Sequence, residues 1–400
     1  MSLEIRQARR EDVLGALRPV FHYFGREPTE DNASRVLRVL SPERMHAAWE
    51  DGQIVGGASA FEFQLTVPGA RVPAAGITVV GVLPTHRRRG VLTQLMRAQL
   101  DHIHERGEPL AFLWASEGGI YGRFGYGLAA LCGEIDLARA HARFRRPVDV
   151  DGGFRLLTLD EALDLLPHVY ERVAGGTPGM FGRTEAWWRT RVLDDPEWRR
   201  DGGGEMVRVA LLGENEILGY ALYRLKMGFA DGASTGAVHV IEALGITPEA
   251  LAGIWRHLLD IDWMDRTKAW LLPVDHPLFL LLDEPSRMRF RVEDSIWLRL
   301  VDVGAALAAR GWAGEEELVL EVTDSFCPWN EGRYRLDGAQ TSDSPDLRLD
   351  VSDLGSVYLG GFTFGQLLRS GRVEELSAGA VQAAEGLFRT ERAPWCPEIF

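Results

Sequence analysis

The sequence has 400 residues, 46% of them hydrophobic and 26% charged, which is enough chain for two or three domains with sizeable cores. Its formal net charge of -14 disfavours a nucleic-acid partner bound over a broad surface, because phosphate binding needs a basic face, and it favours cationic small molecules or peptides as partners. No run of the sequence approaches the roughly 18 apolar residues of a membrane-spanning helix, so membrane insertion is not expected.

The first part of the chain predicts an α/β unit of about one domain. A short strand precedes a helix that opens near Arg10 and has apolar residues at helical spacing. The stretch RMHAAWEDGQIVGGASAFEFQLTVPG alternates around Asp51-Gly52, which predicts a hairpin that leads to a further strand in AGITVVGVLP. After an arginine-rich loop, apolar residues recur at helical spacing from Leu92 to Ile103, and LAFLWAS follows as a compact strand.

A second unit follows the connector ARAHARFRRPVDVDGG. FRLLTLDEALDLLPHVYERV predicts a strand and a helix, MVRVALLGENEILGYALYRLK a hairpin, and AVHVIEALGITPEALAGIWRHLL a strand, a turn and a helix. This order matches the first unit and indicates an internal duplication. Where the first copy has three arginines before Gly90, the second has Thr247-Pro248, a good helix N-cap without positive charge.

The remainder predicts a third, α+β domain. It alternates like strands from ELVLEV onward and ends in helical stretches such as AGAVQAAEGLFRT. The last residues, APWCPEIF, contain two prolines, which favours an extended segment over a fraying helix. The sequence therefore predicts domains at residues 1–146, 147–292 and 293–400.

The spacing of the cysteines and the composition of the N-terminal stretch favour the reducing cytoplasm as the compartment. Cys132, Cys327 and Cys396 are far apart and lack CxxC spacing, which favours neither a disulfide framework nor a zinc site. His102 and His104 lie two positions apart on a predicted helix and point in different directions, so we expect no metal there. The stretch MSLEIRQARREDVLGALRPV does not resemble a signal peptide. We expect a protein of the reducing cytoplasm.

The arginine loop, VVGVLPTHRRRGVLTQLM, has the composition of a phosphate cradle. A helix N-terminus offers unpaired N–H groups and partial positive charge, Gly90 lets a ligand approach the backbone, and arginines neutralise phosphates. The loop lacks the spacing and lysine of a P-loop and the GxGxxG of dinucleotide folds. A basic turn on a solvated face is the alternative.

This loop resembles the coenzyme A pyrophosphate loop of the GNAT superfamily of N-acetyltransferases, with Arg87, Gly90 and Leu92 at its motif positions. Downstream, LWASEGGIYGRFGYGLA is similar to the Eis (enhanced intracellular survival) family of that superfamily. The resemblance covers the whole chain. It implies an α/β (mixed α+β) fold with tandem GNAT-like domains, the second degenerate, and a C-terminal sterol-carrier-protein-like domain.

The resemblance implies an acetyl-CoA-dependent enzyme without a metal, acting on a primary amine in a ternary complex. An alkyl ammonium group must lose a proton before it attacks, and the departing thiolate needs one. By resemblance, the base is the α-carboxylate of Phe400 and the acid is the hydroxyl of Tyr126. The alternatives are an ordinary chain end and an ordinary core tyrosine.

Further residues are assigned to the cofactor and the acceptor. Backbone groups of the strand before the loop suit the amide-rich pantetheine arm. The predicted acetyl-CoA residues are Val80, Gly81, Val82, Arg87, Arg88, Arg89, Gly90, Val91, Leu92, Thr93, Ser116, Tyr121 and Gly122. Aromatic or acidic residues that suit a cationic acceptor are Phe24, Glu62 and Glu117, with Glu27 and Phe61 as further candidates.

The acceptor classes left open are an aminoglycoside, a polyamine and a lysine side chain. Family resemblance implies a homo-oligomer, a hexamer. A route through an acetyl-cysteine is disfavoured because Cys132, the nearest thiol, lies in an apolar stretch. A non-catalytic scaffold whose last domain holds a lipid is the rival from another class.

Overall fold

The structure is a computed structural model that describes residues 3–400, so Met1 and Ser2 of the first predicted domain lie outside the described residues. It groups the chain into two compact units. Unit 1 contains the described residues up to Ala130 together with Ser295–Glu391 and Ile399–Phe400. Unit 2 contains Leu131–Asp294 and Arg392–Glu398. The three-domain division remains a prediction.

The strands form two seven-stranded sheets, a four-stranded sheet and a two-stranded ribbon in the described chain. In chain order they are β1 Glu4–Gln7, β2 Met45–Glu50, β3 Gln53–Val67, β4 Ala70–Val82, β5 Leu110–Trp114, β6 Gly127–Leu128, β7 Leu131–Ala138, β8 Gly153–Leu156, β9 Val207–Leu212, β10 Ile217–Lys226, β11 Phe229–Ala230, β12 Ala233–Ser234, β13 Gly236–Gly245, β14 Met264–Pro273, β15 Arg291–Asp294, β16 Ile296–Leu300, β17 Val319–Thr323, β18 Gly332–Arg335, β19 Leu347–Asp350 and β20 Val373–Glu375.

Helices lie between the strands in both units. In chain order they are α1 Val13–Tyr23, α2 Glu30–Val36, α3 Val91–Glu105, α4 Leu159–Ala174, α5 Glu185–Trp187, α6 Pro248–Leu259, α7 Leu278–Leu281, α8 Val303–Ala309, α9 Val351–Tyr358, α10 Phe364–Arg369 and α11 Ala380–Phe388. Short helical turns add to these, including Gly122–Phe124.

The large sheet of unit 1 has the order β1-β2-β3-β4-β5-β16-β6. The predicted hairpin joins β2 to β3, and its turn has φ of 49° at Asp51 and 78° at Gly52, the conformation that Asp-Gly favours. β4 pairs with β5 in parallel over Ala74–Ile77. The mixed α/β fold predicted for this part of the chain is therefore present.

A bulge in β4 opens this sheet. The register against β3 shifts between Gly57, opposite Gly81, and Ser59, opposite Thr78, and Val79 has a φ of 55°. A bulge bends a strand and interrupts its pairing. β4 continues to Val82, beyond Ile77, its last residue paired with β5. The sheet therefore splits at this point, next to the start of α3.

Helix α3 closes the core of unit 1 against the sheet. It begins after Gly90, whose φ is 79°, and an αL glycine, Gly107, follows its end. Its buried stripe includes Leu95, Met96 and Leu100, each fully buried, as the helical spacing predicts.

Unit 2 repeats the arrangement in the sheet β15-β7-β14-β13-β10-β9-β8. β13 pairs with β14 in parallel from Gly236 to Val240, and the register of β13 against β10 shifts at Ile241. Helix α6 follows, with Trp255 and Leu258 fully buried in the core of the unit. Thr247 caps α6 as predicted, since its side chain accepts from the N–H of Ala250 at 3.1 Å.

Residues 303–391 of the last region lie in unit 1 and have the predicted α+β character. Its sheet has the order β18-β17-β19-β20, with α8 to α11 around it. The final residues after Phe388 contain no helix, as their prolines indicate. β7 and β14 were not predicted, because each takes its pairing from strands distant in sequence.

Candidate active site

A cavity of about 650 Å³ lies in unit 1 beside the split in the sheet. The end of β4, the start of α3 and the loop after β5 form its walls. Eleven of the thirteen predicted cofactor residues line it: Val80, Gly81, Val82, Arg87, Arg88, Gly90, Val91, Leu92, Thr93, Ser116 and Tyr121. The other two, Arg89 and Gly122, are not in its lining.

Helix α1 fixes one wall of the cavity. A Cβ at Gly81 would lie 2.8 Å from the backbone nitrogen of Val20, so α1 can pack this closely because residue 81 is a glycine. The hydroxyl of Tyr23 donates to the carbonyl oxygen of Val82 at 2.8 Å. The exposed strand end is thereby held where β4 leaves its partner.

The opposite wall has the character of an anion site. Helix α3 has no side-chain cap at its N-terminus, so the first N–H groups of the helix are not satisfied by a capping residue. Arg87 and Arg88 add positive charge beside them, and the guanidinium of Arg87 lies 5.9 Å from the ring centre of Tyr23. A helix N-terminus with two arginines suits phosphate groups.

Arg89 has a different environment. Its Nη1 and Nη2 lie 3.0 and 2.5 Å from the two carboxylate oxygens of Glu50, at the end of β2. His86 contacts the same carboxylate, at 3.0 Å from Nε2 to Oε2. The third arginine therefore ties the loop to the hairpin β2–β3.

Tyr121 lines the cavity and contacts the predicted acid, Tyr126. The two rings are 6.0 Å apart and edge to face. Burial raises the pKa of Tyr121 to about 12, with a further contribution from Glu117. Tyr126 is fully buried, does not line the cavity, and its hydroxyl has no hydrogen-bond partner among residues 3–400. Burial raises its pKa far above the usual tyrosine value.

The predicted base, Phe400, is docked rather than exposed. Its ring lies 4.8 Å from that of Phe112, 5.2 Å from that of Phe63 and 6.4 Å from that of Phe61, all in edge-to-face geometry. The residue is 8% exposed. Phe400 is not in the cavity lining, but it packs on β3 and β5, on either side of the central strand β4.

Two of the acceptor candidates, Phe24 and Glu117, line the cavity. Glu62 is exposed and forms an ion pair with Arg106, while Glu27 lies 3.1 Å from Arg18. Phe61 is buried beside Phe400. The structure thus brings an aromatic and an acidic side chain to the cleft and leaves Glu62 outside it.

Sequence reasoning missed several lining residues, among them Tyr23, Ile120 and Arg123. Ile120 and Arg123 flank the predicted Tyr121 and could have been found by extending that motif. Tyr23 carries no local signal, because its contact with Val82 joins segments far apart in the chain.

The corresponding cleft of unit 2 has lost the anion site. Thr247 and Pro248 replace the arginine loop, and a smaller cavity of about 250 Å³ lies between β13 and β14. Residues of the C-terminal segment, including Trp395, form part of its lining, and the indole N–H of Trp395 donates to the carbonyl oxygen of Leu271. The C-terminal segment therefore narrows the cleft of the second copy.

Two negative observations apply to residues 3–400. They contain no group of three or more His, Cys, Asp or Glu side chains placed to hold a metal ion. None of their helices has both the length and the apolar character needed to cross a membrane.

Three family matches divide the chain. Residues 4–129 and 179–300 each match a family described as acetyltransferase (GNAT) domain. Residues 303–397 match a family described as sterol carrier protein domain. These matches confirm the predicted tandem arrangement and the nature of the last region.

Whole-chain relatives agree. An uncharacterized N-acetyltransferase of Streptomyces avermitilis is 41% identical over 411 residues, covering 100% of both chains. The N-acetyltransferase Eis of Mycobacterium tuberculosis is 34% identical over 352 residues, covering 85% of this chain and 84% of its own. The crystal structure of Eis1 from Mycobacterium abscessus superposes with a TM-score of 0.86 at 35% identity, over 100% of both chains.

Proposed function

The chain belongs to the Eis family of GNAT N-acetyltransferases, and from that premise we propose that it transfers acetyl from acetyl-CoA to a primary amine of a cationic acceptor. The observation that carries the proposal is the cleft where β4 leaves β5, with Arg87, Arg88 and the uncapped start of α3 at one end. Membership in this family favours an enzyme over the lipid-holding scaffold.

Different parts of the cleft suit different parts of acetyl-CoA. Val80, Gly81 and Val82 offer backbone groups to the pantetheine amides, which can pair like an added strand. Arg87, Arg88 and the N–H groups from Val91 onward suit the phosphates. Arg89 supports this site by holding the loop to Glu50.

We assign the two proton transfers to Phe400 and Tyr126. The α-carboxylate of Phe400 accepts a proton from the attacking amine, and the hydroxyl of Tyr126 gives its proton to the departing thiolate. A terminal carboxylate is ionised at neutral pH, and burial keeps Tyr126 protonated, so its hydroxyl is available to donate as the thiolate departs.

Direct transfer fits better than a covalent acetyl-cysteine. Burial raises the pKa of Cys132 to about 12, with smaller contributions from Glu293 and Asp294. A thiol with so high a pKa is a poor nucleophile at neutral pH. Its contact with the carbonyl oxygen of Asp294, at 3.8 Å, supports a structural role.

The acceptor in this proposal is an aminoglycoside, a polyamine or a lysine side chain. Phe24 and Glu117 offer an apolar face and a negative charge at the cleft, and the overall charge of -14 attracts cations. Glu62 stays a candidate contact outside the cavity. Family membership also supports a cytoplasmic location and a homo-hexamer as parts of the proposal.

The test follows release of the coenzyme A thiol when purified protein meets acetyl-CoA and a panel of aminoglycosides, polyamines and lysine peptides. We expect release that depends on one class of amine. A matched pair of variants then tests the base: two residues appended after Phe400 abolish turnover and leave acetyl-CoA binding intact, whereas Ile399→Leu, which keeps the end of the chain, retains turnover. Full activity in the extended chain would exclude Phe400 as the base.

A further inference from the structure

A buried polar cluster that the proposed chemistry has not used lies against Gly125, the residue before Tyr126. Arg299 on β16 is 0% exposed, and its Nη2 is ion-paired with Asp324, whose side chain is 1% exposed. Asp324 also accepts from the amide of Asn330 at 2.9 Å and from the backbone N–H of Cys327 at 2.9 Å. The carboxylate is saturated and fixes one side of the guanidinium.

The other side of the guanidinium faces the thiol of Cys327, which is a weak acceptor. Nε and Nη1 of Arg299 have no hydrogen-bond partner in the described chain, and neither does the hydroxyl of Tyr126. A buried polar group without a hydrogen-bond partner lowers the stability of the fold. The N–H groups of Arg299 and the hydroxyl of Tyr126 therefore call for a functional explanation. Gly125, the residue before Tyr126, has a φ of 79°, and a Cβ there would overlap Nη1 of Arg299. The cation therefore lies directly against Gly125, the residue before Tyr126.

We propose that Arg299, held by Asp324, is a positioning residue that stabilises the phenolate left when Tyr126 donates its proton to the departing thiolate. This inference rests on the proposed role of Tyr126. In the step, the O–H bond of Tyr126 breaks and an S–H bond forms on the thiolate. After product release, water returns a proton to the phenolate.

The surrounding charges explain why the cation matters. Burial disfavours a phenolate at Tyr126 and raises its pKa, and the positive charge of Arg299 opposes that shift. Tyr121 and Cys327 also face the phenol and would oppose its ionisation if they carried charge. Arg97, whose Nη1 lies 3.9 Å from the sulfur of Cys327, is a more remote cation. The positive charge of Arg299 is thus the main group that offsets the cost of a buried phenolate at Tyr126, which has no hydrogen-bond donor.

The experiment is a double-mutant cycle on kcat and on KM for acetyl-CoA. We expect Arg299→Met to lower kcat by roughly 10- to 100-fold with KM nearly unchanged. Arg299→Lys keeps the charge and restores most of kcat. In the Tyr126→Phe background, Arg299→Met has little further effect, because the phenolate it would stabilise no longer forms.

Arg299→Met leaves Asp324 as a buried unpaired anion, which threatens folding. The cycle is therefore repeated with Arg299→Met/Asp324→Asn, and thermal unfolding is measured for every variant. Arg310→Met is the control, since Arg310 is also a buried arginine of unit 1 but donates to the carbonyl oxygens of Tyr358 and Phe388. We expect Arg310→Met to lower kcat by the same factor, if at all, in the chain that keeps Tyr126 and in the Tyr126→Phe background.

The outcomes separate two failures. If Arg299→Met lowers kcat by the same factor with and without Tyr126, its role is structural and the inference is overturned. Unchanged turnover in Tyr126→Phe overturns the inference while acetyl transfer stands. Absence of amine-dependent turnover in the unmodified chain overturns the proposed function and the inference with it.

Discussion

The three adjacent arginines of the loop have different partners. Glu50 pairs with Arg89, while Arg87 and Arg88 line the cavity. The sequence presents the three as equivalent, and the φ of 60° at Arg88 shows how the backbone turns between them. The side-chain partner, supplied by the end of β2, decides which arginine can meet a ligand.

This difference gives a prediction at the residue scale. Arg88→Gln should weaken acetyl-CoA binding by roughly 10- to 150-fold, because a charge-assisted hydrogen bond contributes about 1.5–3 kcal/mol. Arg89→Gln is the matched control and should change the Kd by less than about twofold while lowering stability through the loss of the Glu50 contact. Calorimetric titration of both variants measures this. Equal losses of affinity would mean that Arg89 also reaches the phosphates.

At the scale of elements, the two GNAT copies share the same bulged strand followed by a helix. The cleft between β4 and α3 has an uncapped helix start with arginines beside it. In the second copy, the uncharged Thr247 caps α6, and residues 392–397 border the cleft beside β13. In unit 2 the segment is secured by Glu398, whose carboxylate lies 2.5 Å from Nε of Arg183 and accepts from the indole of Trp187 at 2.9 Å. The segment is thus part of the core of unit 2.

Arg183 is the centre of that attachment. It is buried, bonded to both oxygens of Glu242 at 3.0 and 2.6 Å, and its guanidinium lies 3.7 Å from the ring centre of Tyr170. Arg183→Met should lower the free energy of unfolding by about 3–5 kcal/mol, because the buried carboxylate of Glu242 and the partly buried carboxylate of Glu398 lose their cation. Urea unfolding checks this against Arg189→Met, which breaks an exposed pair with Glu185 and should cost less than about 1 kcal/mol. Similar losses in both variants would contradict the assignment.

At the scale of the whole molecule, each unit contains a buried histidine. Burial lowers the pKa of His46 in unit 1 to about 4, with His102 and Arg44 adding to the shift, and burial lowers the pKa of His276 in unit 2 to about 3. Both are therefore neutral in the folded chain near pH 7. An unfolded histidine has a pKa near 6.5, so acid protonates the unfolded state first.

Stability should therefore fall as the pH drops below about 6.5. Between pH 7 and pH 5, His276 alone should remove about 2 kcal/mol from the free energy of unfolding. His276→Asn keeps an acceptor for the N–H of Leu278 and removes the titrating group, so its stability should depend less on pH by about that amount. Urea unfolding at both pH values measures the difference. An unchanged pH dependence would show that His276 is not protonated on unfolding.

Patterns among neighbouring residues were enough to predict many elements of this protein. The Asp51-Gly52 hairpin, the α3 stripe, the Thr247 cap and the arginine loop each depend on neighbouring residues, so the sequence by itself predicted these elements, the duplication and most of the cavity lining. The family resemblance supplied the roles proposed for Tyr126 and Phe400, which no local pattern carries.

Tertiary structure decided the rest, because it depends on contacts between distant segments. The pairing of Glu50 with Arg89, the packing of Phe400 between β3 and β5, and the position of Arg299 beside Gly125 join residues that no periodicity relates. The same holds for β16, which pairs with β5 in unit 1, and for β7, which pairs with β14 in unit 2. The sequence determined which groups are present, and the fold determined which of them are buried, paired or turned toward the cleft.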